Sequence, residues 1–81
     1  MDKEKAERLV RAIERTHVDW LRVEAVEFEP KRQTYVLKCA YKEAEKGQFS
    51  RRERRVTRWI SSPREWIDLL VSHRNDLEPP H

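Results

Sequence analysis

The chain has 81 residues, of which 41% are charged and 37% are hydrophobic, and its formal net charge is +3. A chain of this length has room for one domain and buries only about 60% of the surface that its unfolded form exposes. No apolar run approaches the roughly 20 residues of a membrane span, and the charged start is followed by no hydrophobic signal region. We therefore expect a cytoplasmic protein.

Few residues offer catalytic or metal-binding chemistry. Cys39 is the only cysteine, which excludes an intrachain disulfide and a cysteine-based metal cluster. The three histidines, His17, His73 and His81, are too far apart in sequence for a metal-ligand spacing. A loop that cradles phosphate needs several glycines, and the chain has one. The sequence predicts a protein that is not an enzyme and that carries no metal or cofactor.

The first predicted element is an amphipathic helix from Asp2 to Thr16. Apolar residues recur there at spacings of three and four, which is the period of one helix face. They are Ala6, Leu9, Val10 and Ile13, and His17 continues the same face at the end of the helix. We expect Asp2 to cap the first turn and Glu4 to pair with Arg8.

Two strands are predicted next. From Trp20 to Phe28 the alternation slips near Ala25, and either a β-bulge or a strand with apolar residues on both faces would produce that slip. After the turn "EPKR", the segment from Thr34 to Lys42 alternates cleanly. This pattern is typical of the central strand of an antiparallel sheet whose second face is partly wet.

The segment from Phe49 to Ile60 is open to two interpretations. Its periodicity slightly favours a helix, whereas the β-branched and aromatic residues near its end favour a strand. The only glycine, Gly47, precedes it and is suited to a tight reversal of the chain. We predict a strand, because a third strand completes a more stable sheet than a lone hairpin. The alternative is a β-hairpin with three helices.

A last helix is predicted to begin after Ser62 and to end near His73 to Asn75. Ser62 and Glu65 have the spacing of a capping box, and Pro63 stands where its missing N–H costs nothing. The order helix, strand, strand, strand, helix predicts a small single α+β domain over residues 1–75, with a three-stranded antiparallel sheet and both helices on one face. Residues 76–81 are predicted to form a flexible tail.

Double-stranded RNA-binding domains share this order of elements. Their phosphate contacts come from a lysine-rich start to the last helix, where this chain has Ser62, Pro63, Arg64 and Glu65. The sequence is therefore not assigned to that family.

Positive charge is concentrated in the middle of the chain. Residues 31–48 carry a net charge of +3 and residues 49–60 carry +4, whereas the segments before and after them carry −2 each. Any electropositive surface must therefore be built from residues 31–58.

The functional hypothesis is a basic sheet face that binds the backbone of RNA or DNA. Arginine carries a planar fork that grips phosphate in two places and can stack on bases. On the strand interpretation, Arg52, Arg54 and Arg58 project from one face, which Lys38 and Lys42 extend, and Arg51 and Arg55 project from the other. The predicted binding residues are Arg32, Lys38, Lys42, Arg51, Arg52, Arg54, Arg55 and Arg58.

Two other interpretations stay open. The basic face can serve an acidic protein partner, with Trp20 or Phe28 on the open sheet face as an anchor, or the chain can form a homodimer through an exposed sheet edge. The basic residues can also be a solvated surface without a ligand. In that case the carboxylates of the first strand, Glu24, Glu27 and Glu29, pair with Lys38 or Arg52.

Overall fold

The computed structural model describes residues 2–16, 19–43 and 47–80. In chain order they form α1 (Lys3–Glu14), β1 (Leu21–Glu29), β2 (Thr34–Lys42), β3 (Phe49–Val56) and α2 (Pro63–Ser72), followed by one 3₁₀ turn at Arg74–Asp76. The strands form an antiparallel sheet in the order β1-β2-β3. The predicted α+β fold is confirmed, and the alternative hairpin with three helices is not formed.

α1 begins where the sequence predicts. The Asp2 carboxylate accepts a hydrogen bond from the backbone N–H of Glu4 at 3.0 Å, which satisfies one of the donors that a first helical turn leaves unpaired. The helix ends at Glu14, before the predicted end at Thr16. Its buried residues are Ala6, Leu9 and Ile13. His17, predicted to lie at the helix end, is outside the described residues.

β1 contains a bulge. Val23 pairs with Cys39 and Ala25 pairs with Lys38, so Glu24 is an extra residue with no counterpart on β2. The bulge explains the slip in alternation, because one additional residue moves the following side chains to the other face. Residues on both sides of it therefore turn toward the helices; they are Leu21, Val23, Val26 and Phe28.

The sheet has one face against the helices and one face with no helix on it. We call the first the helix face; on β2 it carries Tyr35, Leu37, Cys39 and Tyr41, and on β3 it carries Ser50, Arg52, Arg54 and Val56. We call the second the open face; on β1 it carries Arg22, Ala25, Glu27 and Glu29, on β2 Val36, Lys38, Ala40 and Lys42, and on β3 Phe49, Arg51, Glu53 and Arg55. The predicted central position of β2 is confirmed.

The chain reverses before β3 at Gly47, which has a φ of +65° and donates its N–H to the Glu43 carbonyl at 2.9 Å. A left-handed φ of this kind suits glycine because it lacks a Cβ. The strand then ends at Val56, four residues earlier than predicted. The bend after it lets Ile60 enter the core, where its carbonyl accepts a hydrogen bond from the indole of Trp66 at 2.8 Å.

α2 begins at the predicted cap. The Ser62 hydroxyl accepts a hydrogen bond from the backbone N–H of Glu65 at 3.3 Å, and Pro63 stands in the first turn. The Glu65 carboxylate accepts a hydrogen bond from Arg58 at 2.6 Å. The side chains of Trp66 and Leu70 are fully buried, and they join α2 to α1 and to the helix face of the sheet.

The segment after α2 contacts the body of the protein. Leu77 is 7% exposed and belongs to the core, and the backbone of Glu78 exchanges hydrogen bonds of 2.7 and 2.9 Å with Glu53 on the outer edge of β3. These contacts involve residues of the predicted flexible tail. They also give β3 a neighbour on its outer side, whereas β1 has only β2 beside it in the part of the chain that the structure describes. Among those same residues, no helix is long and apolar enough to cross a membrane.

Candidate nucleic-acid interface

The open face is crossed by a ladder of ion pairs between strands. Among the described residues, three contacts join strands: Lys38 with Glu27 at 2.8 Å, Arg51 with Glu24 at 3.6 Å, and Arg55 with Glu29 at 2.8 Å. Arg55 also binds the carboxylate of Glu78 in the segment after α2. The hypothesis that carboxylates of β1 pair across the sheet is borne out for Lys38. The arginines that these carboxylates bind are Arg51 and Arg55. The predicted partner Arg52 lies on the other face.

Arg55 is the most desolvated member of the ladder, with a side chain that is only 10% exposed. It also lies 2.7 Å from the carboxylate of Glu53, a residue that is itself 7% exposed. Burial alone would lower the pKa of Arg55, but its hydrogen bonds to Glu29 and Glu78 outweigh burial and raise that pKa above the ordinary value. These groups cover Val36, which is 1% exposed although no helix packs on this face.

Lys38 is held in the same way. Its hydrogen bond to Glu27 is the main reason that its pKa is raised above the ordinary value for lysine, and the charges of Glu53 and Glu29 add to the shift. The part of the open face built from Lys38, Arg55 and the four surrounding carboxylates is therefore not positive. Those carboxylates belong to Glu27, Glu29, Glu53 and Glu78.

The predicted binding residues do not form one surface. Lys38 and Lys42 share the open face with Arg51 and Arg55, so the prediction that they extend the face of Arg52 and Arg54 is wrong. The register decides this, because Lys38 stands opposite Glu53 and Lys42 stands opposite Phe49.

Three further predicted binding residues also share no common surface. They are Arg54, Arg58 and Arg32. Arg54 is on the helix face, where its Nε atom is buried without a hydrogen-bond partner among the described residues. Arg58 follows the end of β3 and binds Glu65. Arg32 lies in the turn between β1 and β2, at the opposite end of the sheet from Lys42.

A second cluster of cations lies at the end of the sheet where β1 begins, β2 ends and β3 begins. On the helix side, the guanidinium of Arg74 lies 4.4 Å from the ring centre of Trp20 and 5.3 Å from that of Tyr41. Arg52 covers Tyr41 as well, at 5.3 Å. A hydrogen bond of 2.6 Å from Arg74 to the backbone carbonyl of Lys42 fixes the stack to β2.

At the same end of the sheet, the open face also carries a contact between an arginine and an aromatic ring. Arg22 on β1 reaches across β2 and lies 4.0 Å from the ring centre of Phe49 on β3. Arg22 stands opposite Ala40 on β2, whose small side chain leaves room for a guanidinium above it, and Phe49 stands opposite Lys42. Lys42 and Arg51 are exposed beside this pair.

We call this region the basic end; it consists of residues 20–24, 40–43 and 49–52 together with Arg74. It carries five basic and two acidic side chains, a formal net charge of +3. The other strand residues, 25–29, 34–39 and 53–56, together with Glu78, carry three basic and four acidic side chains, a net charge of −1. The positive charge of the sheet is therefore concentrated at one end rather than on one face.

Three predicted binding residues, Lys42, Arg51 and Arg52, belong to the basic end. Trp20 is predicted from the sequence as an anchor on the open face, but its ring lies under Arg74 from the segment after α2. Phe28, the other proposed anchor, is on the helix face against Tyr35 and far from the basic end.

Four residues of the basic end are absent from the functional residues predicted from the sequence; they are Arg22, Arg74, Tyr41 and Phe49. Arg22 has a local signal, because it alternates with Leu21 and Val23 and must therefore project from the open face. Arg74 has no such signal, since its contact depends on the path of the chain after α2.

The one thiol of the chain, that of Cys39, lies in the core. Cys39 is 1% exposed, and burial raises the pKa of its thiol to about 12, so it is protonated at neutral pH. No group of histidine, cysteine and acidic side chains among the described residues could hold a metal ion. His81 lies outside them.

The chain was compared with protein-family models, with curated proteins and with solved structures, and none of them matches it.

Proposed function

We propose that this protein is a non-enzymatic binding module that contacts RNA or DNA through its basic end. The observation that carries the proposal is the set of three half-buried aromatic rings, each with an arginine guanidinium 4.0 to 5.3 Å from its centre. Alternating aromatic rings and guanidinium groups are suited to nucleic acid, because both can stack on bases while the N–H groups of arginine bind phosphate.

The arrangement favours a single strand over a duplex. The bases of a duplex are already stacked on one another, whereas the unstacked bases of a single strand are free to stack on rings and guanidinium planes. The carboxylates that neutralise Lys38 and Arg55 also limit the length of the positive surface, so it suits a few nucleotides rather than a long duplex. The arginine-rich β3 contributes Arg51 and Arg52 to this surface, and its other arginines serve the fold.

The test is fluorescence anisotropy with a labelled single-stranded oligonucleotide and a duplex of the same sequence, each at two salt concentrations. Binding that neutralises about four phosphates of a single strand should give a slope of log K against log salt of about −3. We expect the single strand to bind more tightly than the duplex. Absence of binding at low salt would contradict the proposal.

Variants of the basic end make the test specific. The double variant Arg52→Ala, Arg74→Ala should weaken binding about tenfold or more, because it removes two charges and two stacking surfaces. The double variant Arg52→Lys, Arg74→Lys keeps the charge and should retain the salt slope while losing affinity. The control is Arg8→Ala, Arg64→Ala, which removes the same charge from exposed positions on the helices. Equal losses in the first variant and the control would show only a general charge effect.

A protein partner with an acidic surface is the second candidate. It is favoured by the composition of the basic end, since arginine, tryptophan and tyrosine are the residues that most often dominate binding energy at protein interfaces. A contact anchored by rings should depend on salt much less steeply than one that releases counterions from a nucleic-acid backbone. A chain that retains no oligonucleotide at low salt but binds an acidic protein would favour this candidate.

A further inference from the structure

The outer edge of β1 is open and lies beside a groove. The groove has a volume of about 340 Å³ and runs between α1 and the strand. Lys3, Ala6, Glu7, Val10 and Arg11 line it from the helix, and residues 24–27 line it from the strand. The opposite edge of the sheet is covered in part by Glu78, whereas the described residues place no strand beside the outer edge of β1. An unpaired edge presents backbone donors and acceptors to another strand.

We propose that this edge binds the same edge of a second copy of the chain, so that two sheets join into one six-stranded antiparallel sheet. Both the strand and the helix along this groove are complementary to themselves when one copy is rotated about a two-fold axis. A two-fold interface of this kind requires each residue to meet a suitable partner on an identical surface.

The strand is self-complementary because of its bulge. An axis between Glu24 and Ala25 pairs Arg22 with Glu27 of the second copy, and the reverse pair forms by symmetry. The same axis pairs helix-face residues with helix-face residues; these pairs are Leu21 with Phe28 and Val23 with Val26. In a regular strand, partners in this register would lie on opposite faces, but the extra residue at Glu24 brings them to the same face.

Forming the Arg22–Glu27 pairs requires Arg22 to give up one contact within its own copy, because its guanidinium lies over Phe49 on β3. Glu27 binds Lys38 through Oε2, and its side chain remains 55% exposed. Arg22 is exposed where it covers Phe49. Glu27 is therefore accessible to a partner at the edge of the sheet, and Arg22 reaches that partner by turning from the ring of Phe49 toward the outer edge of β1.

The helix is self-complementary by charge. Lys3, Glu7, Arg11 and Glu14 follow one another at spacings of four, four and three residues, so they form one stripe of alternating sign along α1. All four are exposed. When two copies of α1 meet in antiparallel orientation, Lys3 faces Glu14 and Glu7 faces Arg11, and symmetry repeats both pairs.

The same two-fold axis relates the two copies of β1 and the two copies of α1. The groove places the middle of α1 beside residues 24–27, and the charge stripe has its own midpoint between Glu7 and Arg11. The half-buried Val10 lies in this region and supplies apolar contact between the two helices. The bulge and the charges of β1 would disfavour pairing with an unrelated strand. They are complementary to the same features in a second copy of this chain.

Charge exchange on α1 tests the proposal. The wild-type chain of 9.9 kDa should show a concentration-dependent dimer of twice that mass in sedimentation velocity. The variant Glu7→Lys, Glu14→Lys carries only positive charge on the stripe, and the variant Lys3→Glu, Arg11→Glu carries only negative charge. Each should be monomeric alone, and an equimolar mixture should form the heterodimer. Wild-type protein that stays monomeric up to about 1 mM would overturn the proposal.

Hydrogen exchange tests the strand contact separately from the helix contact. Raising the protein concentration should slow exchange of backbone amides in residues 21–28 and leave residues 49–56 unchanged. A dimer that protects only α1 would contradict the six-stranded sheet. None of the substituted residues belongs to the basic end, so failure of this proposal and failure of nucleic-acid binding are distinguishable.

Discussion

Arginines on the same strand of this protein perform different tasks. Arg52 covers an aromatic ring at the basic end, whereas Arg55 is enclosed by the carboxylates of Glu29, Glu53 and Glu78. The difference arises from burial. A guanidinium removed from water must be paired, and a carboxylate as buried as that of Glu53 needs the cation equally. We therefore expect Arg55 to stabilise the fold rather than to bind a ligand.

The substitution Arg55→Ala tests this role. It removes the charge that balances Glu53 and leaves that carboxylate buried, so we expect the free energy of unfolding to fall by about 2 to 4 kcal/mol. Urea denaturation followed by circular dichroism measures the change. The matched control is Arg51→Ala, because Arg51 is 77% exposed and its contact to Glu24 is 3.6 Å. Its loss should stay below about 1 kcal/mol. Similar losses in the two variants would show that the network around Arg55 has no special weight.

The strands show which features of the sheet can be predicted from the sequence and which cannot. The alternation of β2 predicted its two faces correctly, and the slip in β1 indicated the bulge at Glu24 as one of two interpretations. The faces of β3 were also predicted, but its register against β2 was not. The segment that joins the two strands sets this register, and alternation within each strand does not reveal it. Lys38 and Lys42 were therefore assigned to the wrong arginines.

The segment after α2 was the least predictable element. The segment ends in "DLEPPH", which is short and rich in proline and gives no periodic signal. Its position is determined by tertiary contacts, since Leu77 belongs to the same core cluster as Ile60 and Trp66, and Glu78 pairs with the edge of β3. The same path brings Arg74 over Trp20, which completes the basic end.

Two truncations test whether this segment is part of the fold. A chain that ends at Asp76 loses the burial of Leu77 and the backbone pairing of Glu78, so its free energy of unfolding should fall by about 2 to 4 kcal/mol. A chain that ends at Glu78 keeps both and should stay within about 0.5 kcal/mol of the full chain. Thermal and urea denaturation measure both differences. Equal stability of the two truncated chains would support the sequence-based prediction of a flexible tail.

Across the whole molecule, the two proposals fit together geometrically. The basic end lies where β1 begins, and the proposed two-fold axis crosses the middle of β1. Because the two copies of β1 would run in opposite directions, the two basic ends would lie at opposite ends of the joined sheet. Each copy would then hold its own short single strand, and binding at one basic end would leave the other unobstructed.

One core joins all the elements of a single copy. Buried residues of α1, β1, β2 and α2 form one cluster with Leu77, and Val56 of β3 packs against it. Trp66 is fully buried in the middle of this cluster. A core that is shared in this way cannot lose one element without exposing apolar surface of the others, so we expect one cooperative unfolding transition.

The measurement compares tryptophan fluorescence with far-ultraviolet circular dichroism during urea denaturation at low protein concentration. Fluorescence reports chiefly on the packing around the indoles, and circular dichroism reports on the helices. If residues 1–75 form a single domain, the two signals should give the same midpoint and the same dependence of free energy on urea. The variant Trp66→Phe should shift both curves together to lower urea, because the loss of one buried side chain weakens the core that all elements share. A fluorescence transition that precedes the loss of helix would contradict a single cooperative unit.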